Sequence, residues 1–333
     1  GRSSHGVGSD TLAAMHQRRP LGATGLEVSP LCLGGNVFGW SADRDTSFAV
    51  LDAYVEAGGN FIDTAEVYSG WVPGNQGGES EALIGAWRSG EWPDDLVVAT
   101  KVGYPGGRFE KGLSRDRVLR SCEESLERMR LERIPLYYAH LDDPDTPLDE
   151  TLRAFDELRT QGMVAAFAAS NYSAERLRHA LEVSDELEIG RFGAMQPRYN
   201  LVDRAEYEGA LEDLCRAEKL GVAVYFSLAR GFLSGKYRPG APIPETPRAG
   251  GVVREYFNDA GFAVLEALDA VAEAHAATPA QVALAWLMAR PGITSAIASA
   301  TSTDQVAELV GATALELTAD EWERLDRIGA AAS

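Results

Sequence analysis

Short apolar runs alternate along this chain with longer segments in which apolar residues recur every three or four positions. The short runs lie at 28–34, 60–64, 96–102, 136–141, 164–170, 192–197, 223–228 and 294–298. Several are almost free of polar residues, as expected of parallel strands covered on both faces. The segments between them have helical periodicity and open with capping residues. Ser114-Arg115-Asp116 precedes VLRSCEESLERM, residues 147–150 precede TLRAFDEL, and Ser173-Ala174-Glu175 precedes RLRHALEV. Eight βα units with no second compositional regime predict one α/β domain over residues 15–333, a closed (β/α)8 TIM barrel. The rival architecture is a doubly wound open sheet, but no GxGxxG follows an early strand.

Three segments fall outside the repeat. RRPLGATGLEVS reads as an N-terminal β-hairpin around Ala23-Thr24-Gly25 that plugs the barrel's N-terminal end, and TADEWERLDRIG reads as an extra C-terminal amphipathic helix. Residues 238–258, rich in Pro and Gly, form the longest stretch without regular pattern and predict a mobile lid or cofactor clasp. Residues 1–14, GRSSHGVGSDTLAA, read as a tag or disordered tail outside the fold.

Composition narrows the function classes. A formal net charge of −19 opposes binding to nucleic acid, so a phosphate-bearing cofactor must be met by local donors instead. The longest apolar stretches, such as 282–289, are too short to span a bilayer, so no membrane partner is expected. Cys32, Cys122 and Cys215 are odd in number and widely spaced, which fits reduced thiols in the cytoplasm. None lies in a CxxC pair, no metal is expected, and nothing specifies an oligomeric state.

Catalytic residues of such barrels gather at the C-terminal ends of strands. Strand two ends in Asp63-Thr64-Ala65-Glu66-Val67-Tyr68, strand three in Thr100-Lys101, strand four in Ala139-His140, strand five in Ser170-Asn171 and strand six in Met195-Gln196-Pro197. Taken singly these have ordinary explanations: a loop aromatic, a snorkelling lysine, a turn cap, a core histidine. Together they can donate a proton to a carbonyl. Lys101 would stabilise the Tyr68 phenolate and lower a pKa that is ordinarily about 10. Asp63 would keep the buried ammonium charged, and His140 would orient the substrate oxygen. Trp40, Trp71, Tyr104, Tyr172 and Tyr199 are the aromatic candidates for the substrate pocket.

At this point the sequence resembles the aldo-keto reductase superfamily over about residues 18–329, through FIDTAEVY, ATKVG, LYYAHLDDPDTPLDETLRAFDEL, ASNYS, MQPRYNLVDR and VYFSLARGFLSGKYR in that order. The resemblance implies a catalytic tetrad of Asp63, Tyr68, Lys101 and His140. It further implies that Ser170, Asn171 and Gln196 hold a nicotinamide carboxamide and that Tyr225 stacks on the ring. The loop 226–237 resembles a pyrophosphate clasp, with Arg230 and Lys236 as its cations and Phe226, Ser227, Leu228 and Gly231 beside them. Gly35, Asn36, Asp63, Ser299, Thr301 and Gln305 complete the implied cofactor set. Two departures stand out: Ser227 where proline is usual, and Ala165-Ala166-Phe167-Ala168 where a basic residue and glycine are common.

The implied cofactor is NADPH. The stretch 298–305 contains no lysine or arginine for a 2′-phosphate, so acceptance of NADH with little discrimination is also expected. The implied activity is reduction of an aldehyde or ketone, including a keto-sugar or a secondary-metabolite intermediate, to the alcohol. Two other classes compete: a Schiff-base lyase or aldolase using Lys101, and a regulatory cofactor-binding protein with slow turnover.

Overall fold

The computed structural model describes residues 9–333. The described residues begin with a helix, Ser9–His16, so residues 9–14 belong to structure that the tail reading set aside; the rest of that reading lies outside the described residues. Met15 is fully buried, and Arg18 closes the helix by donating to the Met15 and Gly58 carbonyls. The hairpin follows as β1 (Arg19–Pro20) and β2 (Glu27–Val28), antiparallel. Its Leu21 and Val28 sit at the base of the barrel interior. Gly22, at φ +57°, lies so close to the backbone of Gly193 and Gly221 that a Cβ there would collide with both. The predicted plug is therefore real, and glycine makes its close approach possible.

The barrel consists of β3 (Leu31–Gly34), β4 (Phe61–Asp63), β5 (Val97–Val102), β6 (Ile134–Ala139), β7 (Val164–Ser170), β8 (Ala194–Gln196), β9 (Gly221–Val224) and β10 (Ser295–Ala298). They pair in parallel in chain order, and β10 closes onto β3. Two predicted strands are displaced toward the N-terminus: the fourth runs 134–139 rather than 136–141, and the seventh runs 221–224 rather than 223–228. In the seventh the backbone leaves the ladder because Phe226, Ala229 and Arg230 take positive φ, which no strand accommodates. The helix Ala249–Tyr256 also occupies part of the stretch 238–258 that carried no recognisable period. The expected C-terminal helix is Ala319–Ala332, opened by a Thr318–Glu321 capping box. Among the described residues no helix is long and apolar enough to cross a membrane.

Alternation along the strands divides the core in two. Leu33, Ile62, Val98, Tyr137, Phe167, Met195, Val222 and Ala296 face the surrounding helices. Cys32, Phe61, Val97, Ala99, Leu136, Tyr138, Ala166, Ala168, Ala194, Ala223 and Ile297 fill the interior. Counting two residues on from the last interior member of each strand gives Gly34, Asp63, Lys101, His140, Ser170, Gln196, Tyr225 and Ser299. One periodicity therefore aims all eight of these positions at the top of the barrel.

Candidate active site

At the end of β4, Asp63 accepts through Oδ2 from Lys101 Nζ at 2.6 Å and from the Tyr68 hydroxyl at 3.2 Å. Its other oxygen accepts from Gln196 Nε2 at 2.8 Å, across the barrel from β8. Lys101 also donates to the Thr64 carbonyl at 2.9 Å and to the Tyr68 hydroxyl at 2.8 Å, so each of its three hydrogens has a partner. Lys101 is fully buried and Asp63 nearly so. Tyr68 comes from the loop after β4, where Tyr68 N bonds to Ala65 O and Glu66 N to Lys101 O.

The electrostatics depart from the sequence expectation. Burial, foremost, and then the Asp63 carboxylate push the Tyr68 phenol well above its ordinary pKa. Lys101 was expected to lower it, but that cation is matched by Asp63, leaving desolvation of the phenolate unopposed. Burial likewise lowers the Lys101 pKa, against Asp63, which raises it. His140 is pressed well below its usual value by burial and by the Lys101 charge. The cluster thus presents a protonated phenol and a neutral imidazole at neutral pH. The His140 ring centroid lies 6.1 Å from that of Tyr68, and its buried Nδ1 has no hydrogen-bond partner.

Next to this cluster, Ser170 Oγ donates to Gln196 O, and Asn171 Nδ2 donates to His140 O and Ser170 Oγ. Tyr225 donates its hydroxyl to Asn171 Oδ1 at 2.7 Å, while Asn171 itself takes φ 56°. Side chains from β7, its following loop, β8 and the end of β9 are thereby gathered on one wall. Trp40, Trp71 and Tyr104 border the opening: Trp71 packs edge-on against Trp40 and Tyr68, and Tyr104 lies 4.9 Å from His140 between ring centroids. Among the described residues the large apolar side chains left exposed are Trp71, Tyr104 and Ile243.

A family model described as "Aldo/keto reductase family" matches residues 30–330. Two plant proteins, each named a probable voltage-gated potassium channel subunit beta, are similar over 303 residues: one from Oryza sativa subsp. japonica at 33% identity and one from Arabidopsis thaliana at 32%. Each alignment covers 88% of this chain and 89% of the relative. The "Uncharacterized oxidoreductase YrpG" of Bacillus subtilis (strain 168) is 32% identical over 322 residues, covering 92% of this chain and 94% of that protein. The chain belongs to the aldo/keto reductase family. A general oxidoreductase role follows from that membership.

The remaining predicted residues of this aldo/keto reductase fall into groups. Where β10 meets β3, the Ser299 hydroxyl donates to Asn36 Oδ1, and Ser299 packs against Gly34 so tightly that a Cβ there would meet its hydroxyl at 2.7 Å. Gly35 is equally confined, by Ser80 and the Asp63 carbonyl. Gln305 folds back to accept from Thr301 N and Oγ1 beside the Ser302 cap of helix Thr303–Gly311. In the clasp, the Arg230 guanidinium stacks over Phe226 and reaches Glu255 at 3.5 Å. Gly231 lies against the Lys236 ammonium end. Ser227 is buried, with its hydroxyl turned back to Val224 O, and Leu228 packs partly into the outer core.

Two pocket candidates are corrected. Tyr172 is buried against Phe192, and Tyr199 is buried beside Tyr207 and Trp286 with its hydroxyl on Glu208. Both follow a strand end, but outward packing claimed them. Sequence reasoning missed Arg248. It leads into the helix Ala249–Tyr256 and stacks over Trp40 at 5.5 Å. Burial, then the neighbouring Arg230, lowers its pKa, and burial, then Arg248, lowers that of Lys236. Among the described residues neither makes an ion pair, and Arg248 Nη2 and Arg230 Nε are buried without hydrogen-bond partners. No local sequence signal marked it.

Proposed function

We propose that this chain reduces an aldehyde or ketone to the alcohol using a nicotinamide cofactor, with Tyr68 as the proton donor. The observation that carries the reading is the Tyr68 hydroxyl, held 2.8 Å from Lys101 Nζ at the open end of the barrel in its protonated form. The residues present fit the cofactor. Ser170, Asn171 and Gln196 offer donors and acceptors suited to a carboxamide, and Tyr225 offers a ring plane beside them. Arg230, Lys236 and Arg248 are crowded cations, and Arg230 Nε and Arg248 Nη2 are buried without hydrogen-bond partners, as suits phosphate groups. When bound, the reduced nicotinamide supplies the hydride.

The chain's own part is to manage the proton. Tyr68 gives its hydroxyl proton to the substrate oxygen as negative charge develops there. Lys101, 2.8 Å away, stabilises the phenolate left behind, and Asp63 keeps Lys101 charged at the moment it is needed. A phenol with a raised pKa is a poor donor to a resting carbonyl but a competent one to an alkoxide, so donation follows the growth of charge. His140 is neutral and borders the same opening, where it orients the oxygen. The wall of Trp40, Trp71 and Tyr104 suits an apolar or stacking substrate, aromatic carbonyls and keto-sugars included. Three buried, unpaired cysteines support a cytoplasmic setting.

A panel of aldehydes, ketones and keto-sugars, assayed by loss of reduced-nicotinamide absorbance with NADPH and with NADH, tests this reading. No oxidation with any of them would reject it. The names of the plant relatives favour a second reading, in which the barrel binds cofactor and serves a channel as a regulatory subunit. Tight NADPH binding without turnover of the panel would select it. The aldolase reading loses support because Lys101 Nζ is buried with every hydrogen engaged.

A further inference from the structure

We propose that Glu66 is a positioning residue for Tyr68, fixing the phenol against Lys101 through a buried ion pair with Arg117 and a bond to the backbone of Gly103. This rests on Tyr68 being the proton donor. Glu66 lies two residues before Tyr68, and Gly103 lies two residues after Lys101. Its Oε1 accepts from Gly103 N at 3.1 Å, and its two oxygens receive Arg117 as a fork, with Nη1 to Oε2 at 3.1 Å and Nη2 to Oε1. One carboxylate therefore ties the loop bearing the phenol to the strand bearing the ammonium.

The turn needs such a tie. Tyr68 N bonds to Ala65 O and Gly70 N to Val67 O, and between them Ser69 sits at φ 66°, a left-handed conformation that is costly for a residue with a Cβ. Support comes from both flanks. On one side Ser69 Oγ donates to Phe38 O at 2.7 Å; on the other stands Glu66, with no exposed surface. Phe109 closes the assembly by packing against Ala65, Val67 and Tyr68, with the Arg117 guanidinium 5.6 Å from its ring centre. A buried ion pair is seldom more stabilising than apolar groups of the same size. A carboxylate can nevertheless accept from an N–H and a guanidinium together, which no apolar residue can do.

That contrast supplies the test. The double variant Glu66→Leu with Arg117→Met removes both charges together and is expected to fold with only a modestly lower thermal midpoint, because no unpaired charge is left behind although Gly103 N loses its acceptor. With NADPH and 4-nitrobenzaldehyde as probe, KM and the NADPH dissociation constant should hold while kcat falls roughly 10- to 100-fold, the scale of a reacting group displaced by about 1 Å. The solvent deuterium isotope effect on kcat should rise as proton transfer becomes limiting. A double variant with unchanged kcat, beside an inactive Tyr68→Phe, overturns the positioning role and leaves the acid assignment standing. An active Tyr68→Phe overturns both. If the wild type does not turn over the probe, the ¹³Cζ resonance of Tyr68, assigned by its loss in Tyr68→Phe, decides. A shift in the double variant supports the proposal, and an unmoved line rejects it. Should the double variant not fold, Glu66→Gln, which keeps an acceptor for Gly103 N but loses the charge, is read by the same criteria.

Discussion

Lys101, fully buried, and Arg248, partly buried, are both cations at the open end of the barrel, yet their surroundings differ. Lys101 has a carboxylate at 2.6 Å and a partner for every hydrogen. Arg248 has no carboxylate among the described residues, a buried nitrogen without a partner, and Arg230 as a repelling neighbour. The first cluster is complete before anything binds, so its geometry is set by folding. The second is frustrated, and an anion would relieve it. Groups that must be aligned in a transition state are built as the first kind, because preorganisation avoids reordering during reaction. Groups that must recruit a charged ligand resemble the second.

The largest effect expected from this comparison is on the complete cluster. Tyr68→Phe should lower kcat by roughly 10²- to 10⁴-fold, the range for loss of a general acid, with NADPH affinity nearly unchanged. Steady-state kinetics beside fluorescence titration of the cofactor measure both halves, and near wild-type turnover would remove Tyr68 from the role.

Arg248→Met attacks the frustrated cluster and should do the reverse. NADPH affinity should fall by about 1.5–3 kcal/mol, the worth of hydrogen bonds to a charged group, with kcat at saturation preserved. Without cofactor the variant should melt higher than the wild type, since an unpaired cation beside Arg230 is gone. A lower melting temperature in the cofactor-free protein would mean that Arg248 already has its partner.

Cofactor choice sharpens the same point on a smaller scale. Residues 298–305 hold no cation and Gln305 is turned onto Thr301, so a 2′-phosphate would need a cation from elsewhere, and Arg248 is the candidate. NADPH should be preferred over NADH by about a couple of kcal/mol, one charge-assisted bond. Dissociation constants for both cofactors, in wild type and Arg248→Met, read this directly. A preference of several thousandfold that survives the substitution would place the phosphate elsewhere.

The smallest effect lies in His140. Its folded pKa is held well below the ordinary value of about 6.5 by burial and Lys101. As pH drops through about 6.5 the unfolded chain binds a proton that the folded chain does not, so stability falls toward acid with a limiting slope near 1.4 kcal/mol per pH unit. His140→Gln should flatten that limb. Parallel melting curves for the two proteins between about pH 5 and 7 would show that His140 titrates normally when folded.

Most of the fold was readable from periodicity, and the structure explains why. A strand buried on both faces must be apolar throughout, so β5, β6 and β7 stand out in the sequence, whereas β9 was displaced toward Tyr225 because apolarity continues past the point where positive φ ends the ladder. Asp63, Lys101, His140, Ser170 and Gln196 were legible because a polar residue closing an apolar run has few reasons to be there. Arg248 was not: nothing local distinguishes it from a surface arginine, and only the return of residues 238–258 toward Trp40 reveals its company.

The sequence by itself determined the eight-unit barrel and the ring of strand-end polar groups, since two-residue alternation and the order of βα units leave little freedom once the barrel closes. The tertiary structure decided how strongly each group is charged and which aromatics face the opening. Tyr68 holds its proton because burial outweighs a lysine already paired to Asp63, and Tyr172 and Tyr199 left the pocket for the helix layer. Both outcomes depend on how many neighbours exclude water from a side chain, a property of packing that no local pattern encodes.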